Sequence, residues 1–302
     1  MPDGIPGPLT GTPVFDIDMQ VADVHDLGQT QYGHRHQIDV RGGTIEGDKL
    51  RGTLADRGLD YQLVLDNGAV EVEQLLIVTS SGTPVFMRNC GTAPAGARDV
   101  RMVIDFEAPL GGSLAWLNTG TFIGVREFDP DAKTLRVKVY QVTAPSVAPT
   151  PDALRVTDPA GVPNQQWECA ERSGSQGEVV YMETVGIDAG SVAVGDSKRG
   201  TRNIIPITGG TTSGRVTGSV LSGGADFQLL SGATFTLDAR YTIKTNDGEL
   251  IIVRNCGTFG AFVPVFEARA DGKYAWLNAN TWLSSDPNIG LGTVSLTIYG
   301  TR

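Results

Sequence analysis

At 302 residues and 40% hydrophobic content, the chain can make one large domain or two of about 150 residues, each able to bury a core. A formal net charge of −10 argues against a phosphate-backbone binder, which needs clustered Lys and Arg, so no nucleic-acid partner is expected. No run approaches the roughly eighteen consecutive apolar residues of a spanning helix, so no membrane partner is expected either.

Residues 1–10 are Pro/Gly-rich and polar, with neither a basic leader nor an apolar run, and a cytoplasmic location is expected. His34-x-His36 puts two imidazoles on one strand face, but no third ligand of known position accompanies them, so neither metal nor cofactor is expected. Three cysteines, Cys90, Cys169 and Cys256, make no disulfide framework, and reduced thiols are the expectation. The 39 glycines follow no three-residue period and read as turns and bulges between strands.

From Gly42 onward the chain repeats itself. Gly42-Gly43-Thr44 lies over Gly209-Gly210-Thr211, and Asp60 over Asp226. Arg88-Asn89-Cys90-Gly91 lies over Arg254-Asn255-Cys256-Gly257, and Ala115-Trp116-Leu117-Asn118 over Ala275-Trp276-Leu277-Asn278. The copies close on Val137-Lys138-Val139-Tyr140 and Leu296-Thr297-Ile298-Tyr299. A Pro/Thr/Ala-rich stretch near residues 143–163 reads as a linker, giving domains at 1–150 and 151–302.

Within each copy the period is two. Residues 70–79, a turn at Ser80-Ser81-Gly82 and residues 84–88 read as a hairpin. So do residues 236–245, Asn246-Asp247-Gly248 and residues 249–254. No stretch carries a capped helical stripe. Seven or more strands in about 140 residues are best closed into a barrel, which removes the edges and is near the size that holds one small ligand. The expected fold is therefore all-β: two tandem closed antiparallel barrels.

Chemistry-bearing residues cluster in the second copy. Asp238 and Arg240 share a strand face, as do Asp226 and Gln228 on the strand before. If these polar faces line the interior, Asp226, Asp238 and Glu267 are candidate acid/base carboxylates and Arg240 an oxyanion partner. Otherwise the faces are solvated and apolar residues fill the barrel. Trp276 with Asn278, and Trp116 with Asn118, offer an aromatic surface beside an amide. Asn255, Asp60 and Glu107 complete the candidate ligand contacts. Where the second copy has Asp238-Ala239-Arg240-Tyr241, the first is read as Val72-Glu73-Gln74-Leu75, which sets Gln74 in Arg240's place and makes the second copy chemically dominant.

The combination of Gly209-Gly210-Thr211, Gly224-Ala225-Asp226-Phe227-Gln228, Leu237-Asp238-Ala239-Arg240-Tyr241, Asp247-Gly248 and Tyr274-Ala275-Trp276-Leu277-Asn278 resembles the DUF3237 (UPF0311) family. The resemblance covers nearly all of both copies. It implies a small closed β-barrel, usually one per chain, and says little of activity. The leading expectation is a cofactor-independent lyase, isomerase or cyclase acting on a small, largely apolar molecule. The alternatives are a non-catalytic small-molecule-binding barrel or a structural tandem module. The expected partners are a small organic ligand and, where self-association occurs, a second copy in a homo-oligomer.

Overall fold

The computed structural model describes residues 11–142 and 168–302; the linker and the boundary near residue 150 lie outside them. The described chain is all β apart from short 3-10 turns at Ala115–Asn118 and Ala275–Leu277. It divides into two compact units, the first holding residues 11–25, 32–142 and 196–198, the second residues 26–31, 168–195 and 199–302. No helix among the described residues is long and apolar enough to cross a membrane.

The first sheet is a closed barrel of eight strands in sequence order: β1 (Gly11–Gln29), β2 (His34–Glu46), β3 (Gly52–Val64), β4 (Val70–Ser80), β5 (Thr83–Ala93), β6 (Asp99–Glu107), β7 (Phe122–Asp129) and β8 (Thr134–Val142). Closure is made by β1 against β8, with Ile17 opposite Val137 and Phe15 opposite Val139. Every interior strand edge is thus paired. Alternate residues fill the barrel, among them Ile17, Ile45, Leu76, Met87, Phe106 and Phe122.

The second copy departs from the expectation of a second closed barrel. It is an eleven-stranded sheet built from β9 (Gln176–Ile187), β10 (Val192–Ser197), β11 (Gly200–Gly214), β12 (Gly218–Val220), β13 (Ala225–Ser231), β14 (Thr234–Thr245), β15 (Leu250–Gly257), β16 (Val263–Ala268), β17 (Trp282–Ser284), β18 (Asn288–Gly290) and β19 (Thr293–Thr301). Its main path runs from β16 to β17, and these two end strands do not pair as β6 and β7 do. The cause is local. Trp282, Leu283 and Ser284 sit opposite Gly300, Tyr299 and Ile298, as Phe122, Ile123 and Gly124 sit opposite Gln141, Tyr140 and Val139. The chain then reads Ser285-Asp286-Pro287 where the first copy continues Val125-Arg126-Glu127, and a proline cannot donate to a ladder. The inner face of this sheet carries Tyr181, Ile207, Tyr241, Val253, Phe266 and Ile298.

The repeated Gly-Gly-Thr has a steric reason. A Cβ on Gly43 would collide with the Asp18 carbonyl, and one on Gly210 with the Thr184 carbonyl. These crossings tie the two copies residue by residue: Asp18 answers to Thr184, and therefore Ile17 to Glu183.

Candidate functional site

Strand register decides which side chains meet. In the second unit Asp226 on β13 lies opposite Ala239 on β14, and Ala239 lies opposite Asn255 on β15. In the first, Asp60 lies opposite Gln74, and Gln74 opposite Asn89. Gln74 therefore answers to Ala239, not to Arg240 as the sequence alignment had it; Arg240 answers to Leu75, and Asp238 to Glu73.

That one-residue correction exchanges the faces. Leu237, Ala239 and Tyr241 line a cavity of about 160 Å³ together with Asp226, Gln228, Asn255 and Phe262; Asp238 and Arg240 are not among its lining. The other walls are mostly apolar, and at the rim Phe235, Phe259 and Ile289 stay 36%, 53% and 71% exposed. Phe235 and Phe259 stack at 6.4 Å. Exposed aromatic and aliphatic side chains around an opening mark a ligand or partner surface more often than a bare surface.

Asp226 and Asn255 are among the polar groups that line this cavity. Asp226 accepts from Gln228 Nε2 at 2.8 Å and from the Asp238 backbone N–H at 3.1 Å. Burial raises its pKa to about 6, partly offset by the Gln228 hydrogen bond. Asn255 spends its amide on Ser284 Oγ at 3.1 Å, and its buried Oδ1 has no partner.

The first barrel is filled at the same level. Arg126 on β7 binds Asp60 in a fork, Nε to Oδ2 at 2.7 Å and Nη2 to Oδ1 at 2.8 Å. Gln74 donates to Asp60 Oδ2 at 2.6 Å, and Asn89 to Gln74 Oε1 at 2.8 Å. Asp60 and Arg126 are 0% and 2% exposed. In the second copy Ala239 replaces the glutamine, and the arginine's place falls to Asp286, whose Oδ1 instead accepts the Gly260 N–H at 2.6 Å. Ala239 lines the pocket at the position where the first barrel holds Gln74.

Asp238 and Arg240 work on the opposite face. Arg254 grips Asp238 from Nε and Nη2, both at 2.9 Å, and Arg240 Nη2 joins at 3.0 Å. Burial opposes ionisation, but the two guanidinium groups hold this carboxyl well below the usual range. Such a group neither takes nor gives a proton near neutrality. Asp238→Asn is accordingly expected to lower the stability of the second unit by roughly 3 kcal/mol, because two poorly hydrated cations lose their anion. It should leave occupancy of the cavity unchanged. Denaturant unfolding beside a binding isotherm checks both; loss of binding with full stability would return Asp238 to the site.

The remaining candidates have structural partners. Asn118 closes a two-way amide clamp on Ala108, accepting its N–H at 3.0 Å and donating to its carbonyl at 2.9 Å. Asn278 does the same to Ala268 at 2.9 and 2.8 Å. Trp116 packs edge-on to Phe122 at 5.7 Å, and Trp276 to Trp282 at 5.4 Å beneath Arg215. Glu107 accepts from Ser197 Oγ at 3.0 Å within the first unit, and Glu267 from Thr30 Oγ1 at 2.6 Å within the second. Neither glutamate lines the cavity.

The thiols differ from expectation. Cys169 and Cys256 form a disulfide, while Cys90 stays free and buried. Cys256 lies opposite Asp238, on the face away from the cavity. The expectation of reduced thiols therefore does not hold for Cys169 and Cys256. His34 and His36 stack at 4.8 Å. Asp23, His25 and Asp39 bring one ligand atom each within 4.8 Å, although His25 Nε2 is already spent on Asp39 at 2.8 Å.

Fold and site together define an all-β chain of two tandem domains, the first a closed barrel and the second carrying a small apolar pocket with a half-buried carboxyl. The chain belongs to the family described as protein of unknown function (DUF3237), whose model matches residues 9–142 and 176–261. It is 42% identical over 79 residues to a UPF0311 protein of Bradyrhizobium diazoefficiens, covering 26% of this chain and 52% of that one. It is 39% identical over 83 residues to a UPF0311 protein of Rhodopseudomonas palustris, covering 26% and 54%. The chain thus spans about half the length of these curated relatives. A solved Rhodopseudomonas palustris structure, a conserved protein of unknown function, aligns at 23% identity and a TM-score of 0.40, over 45% of this chain and 99% of that one.

Proposed function

We propose that the second unit binds a small, largely apolar organic molecule carrying a hydrogen-bond donor, held by Asp226 and Asn255. The observation that carries this reading is the cavity of about 160 Å³, apolar on most sides, into which a carboxylate and an unpartnered amide oxygen face. Apolar cavities near 150 Å³ accept a single aromatic ring. Two acceptors at the wall call for a ligand hydroxyl. Ser285, Asp286 and Pro287, which end the β17 ladder, support an entrance there, and Arg126 with Gln74 supports assigning binding to the second copy alone.

A second reading, that the pocket also turns its ligand over by acid/base chemistry of the lyase, isomerase or cyclase type, is favoured by one observation. The pKa of Asp226 near 6 lets it exchange a proton close to neutral pH. In that reading Asp226 is the catalytic residue; Asp238, Arg240 and Glu267 support the fold around it.

The test uses 4-methylphenol against toluene, followed by calorimetry or ligand-observed NMR. The phenol is expected to bind and toluene to bind more weakly. A donor to Asp226 favours its ionised form, so affinity should rise as pH climbs through about 6 and level off above it. Asp226→Asn should flatten that profile. A phenol that fails to bind at any pH, or binds equally well with Asp226→Asn at every pH, removes the proposal.

A further inference from the structure

Beyond Asp226, the pocket wall passes through Tyr241 into a cluster of polar groups that the sequence reading did not single out. Tyr241 lines the cavity, and its hydroxyl donates to Glu183 Oε1 at 2.5 Å. Tyr181 stands two residues from Glu183 on β9 and so shares its face, while Thr212 on β11 lies directly opposite Glu183. All four are buried. The Tyr181 hydroxyl, Glu183 Oε2 and Thr212 Oγ1 have no hydrogen-bond partner. Buried polar atoms are nearly always satisfied, so three orphans in one cluster need a reason.

The first barrel shows that the fold does not require them. Phe15 and Ile17 lie opposite Val139 and Val137 on β8; Tyr181 and Glu183 lie opposite the corresponding Ile298 and Leu296 on β19. Ile45 lies opposite Gly52, as Thr212 lies opposite Gly218. Leu76 lies opposite Met87, as Tyr241 lies opposite Val253. Phenylalanine, two isoleucines and a leucine in one copy are thus tyrosine, glutamate, threonine and tyrosine in the other. Four matched changes, all toward hydrogen-bonding side chains, fall in one interior layer beneath the one cavity described above.

We propose that Tyr241, backed by Glu183, Tyr181 and Thr212, is a second polar subsite at the inner end of this pocket, selecting single-ring ligands with an oxygen at each end, of the dihydroxyarene or hydroxycarbonyl-arene class. The inference rests on the reading that the pocket takes a ring at Asp226. Tyr241 is two residues along β14 from Ala239, the residue opposite Asp226, a rise of about 7 Å. One six-membered ring with oxygens in para relation spans a comparable length. The Tyr241 hydroxyl donates its hydrogen bond to Glu183, so its lone pair is left to accept from a ligand hydroxyl. Glu183, with its pKa raised by burial to about 7, holds a proton part of the time and so presents either a donor or an acceptor.

The experiment compares hydroquinone, kept anaerobic, with 4-methylphenol, which has the same shape but a methyl group in place of the second oxygen. On the full chain, hydroquinone is expected to bind about tenfold more tightly, the worth of one net hydrogen bond. Tyr241→Phe, and Glu183→Leu with Tyr241→Phe, should abolish or invert that preference while 4-methylphenol binding persists. That persistence also reports that the variants remain folded, with a circular-dichroism melt as a second check. Equal binding of the two rings to the unaltered protein, or an unchanged ratio in the variants, overturns the subsite while the Asp226 site stands. If neither ring binds, the pocket reading fails and this one with it.

Discussion

Ala239→Gln is expected to weaken 4-methylphenol binding by more than about 100-fold, in effect to abolish it, without loss of stability. The substitution copies into the second unit the side chain that the first already holds at the matching point, between Asp60 and Asn89. The new amide reaches the Asp226 carboxylate as Gln74 reaches Asp60 at 2.6 Å, and its oxygen meets Asn255 as Gln74 meets Asn89 at 2.8 Å. It therefore fills the void and supplies a donor to a carboxylate that burial has pushed up to about 6. Both effects favour the folded state, so the melting midpoint should hold or rise while the isotherm disappears. Undiminished affinity would place the ligand elsewhere than beside Ala239. A fall in affinity matched by an equal loss of folded protein would point to overpacking instead.

The repeat, the β class and the alternation of Leu237, Ala239, Tyr241 and Ile243 are legible in the sequence because they rest on local spacing. The site is legible only to the extent that it lies on one strand: Asp226 and Gln228 share a face, and that pairing holds. What failed was the pairing between strands. Asp238-Ala239-Arg240 and Glu73-Gln74-Leu75 are both half-polar runs, and a slip of one residue turns every side chain to the other face. The Asn89 and Asn255 positions fix the register, but only once their partners across β4 and β14 are known. Glu183 was missed for a related reason. Its strand buries Tyr181, Glu183 and Val185 and leaves Val179 and Met182 more than half exposed, so polarity does not mark its faces. Closure of the second sheet was overestimated because Ser285-Asp286-Pro287 breaks a ladder whose opening and closing residues still match the first copy. The Cys169–Cys256 bridge had no signal either, since Cys169 lies outside the matched positions of the repeat.

Arg126→Met in the first barrel should be the most destabilising single change described here, by about 3–5 kcal/mol. Asp60 is wholly buried, and among the described residues the arginine fork supplies its only cation within hydrogen-bonding distance. Removing that fork leaves an anion in an apolar interior with the Gln74 amide as its remaining side-chain donor. The cost is one of uncompensated burial, not of a lost attraction. Neutralising the anion as well, in Asp60→Asn with Arg126→Met, should therefore recover most of the loss, a non-additivity that a double-mutant cycle measures directly. The second unit makes the contrast: with Asp286 in the arginine's register position, Asp226 lines the pocket, and burial makes it hold its proton to higher pH. Calorimetric unfolding of the single and double variants is the check. Additive losses, or a single variant as stable as the parent chain, would mean that the Arg126 fork is not what offsets the burial of Asp60 and fills the first interior.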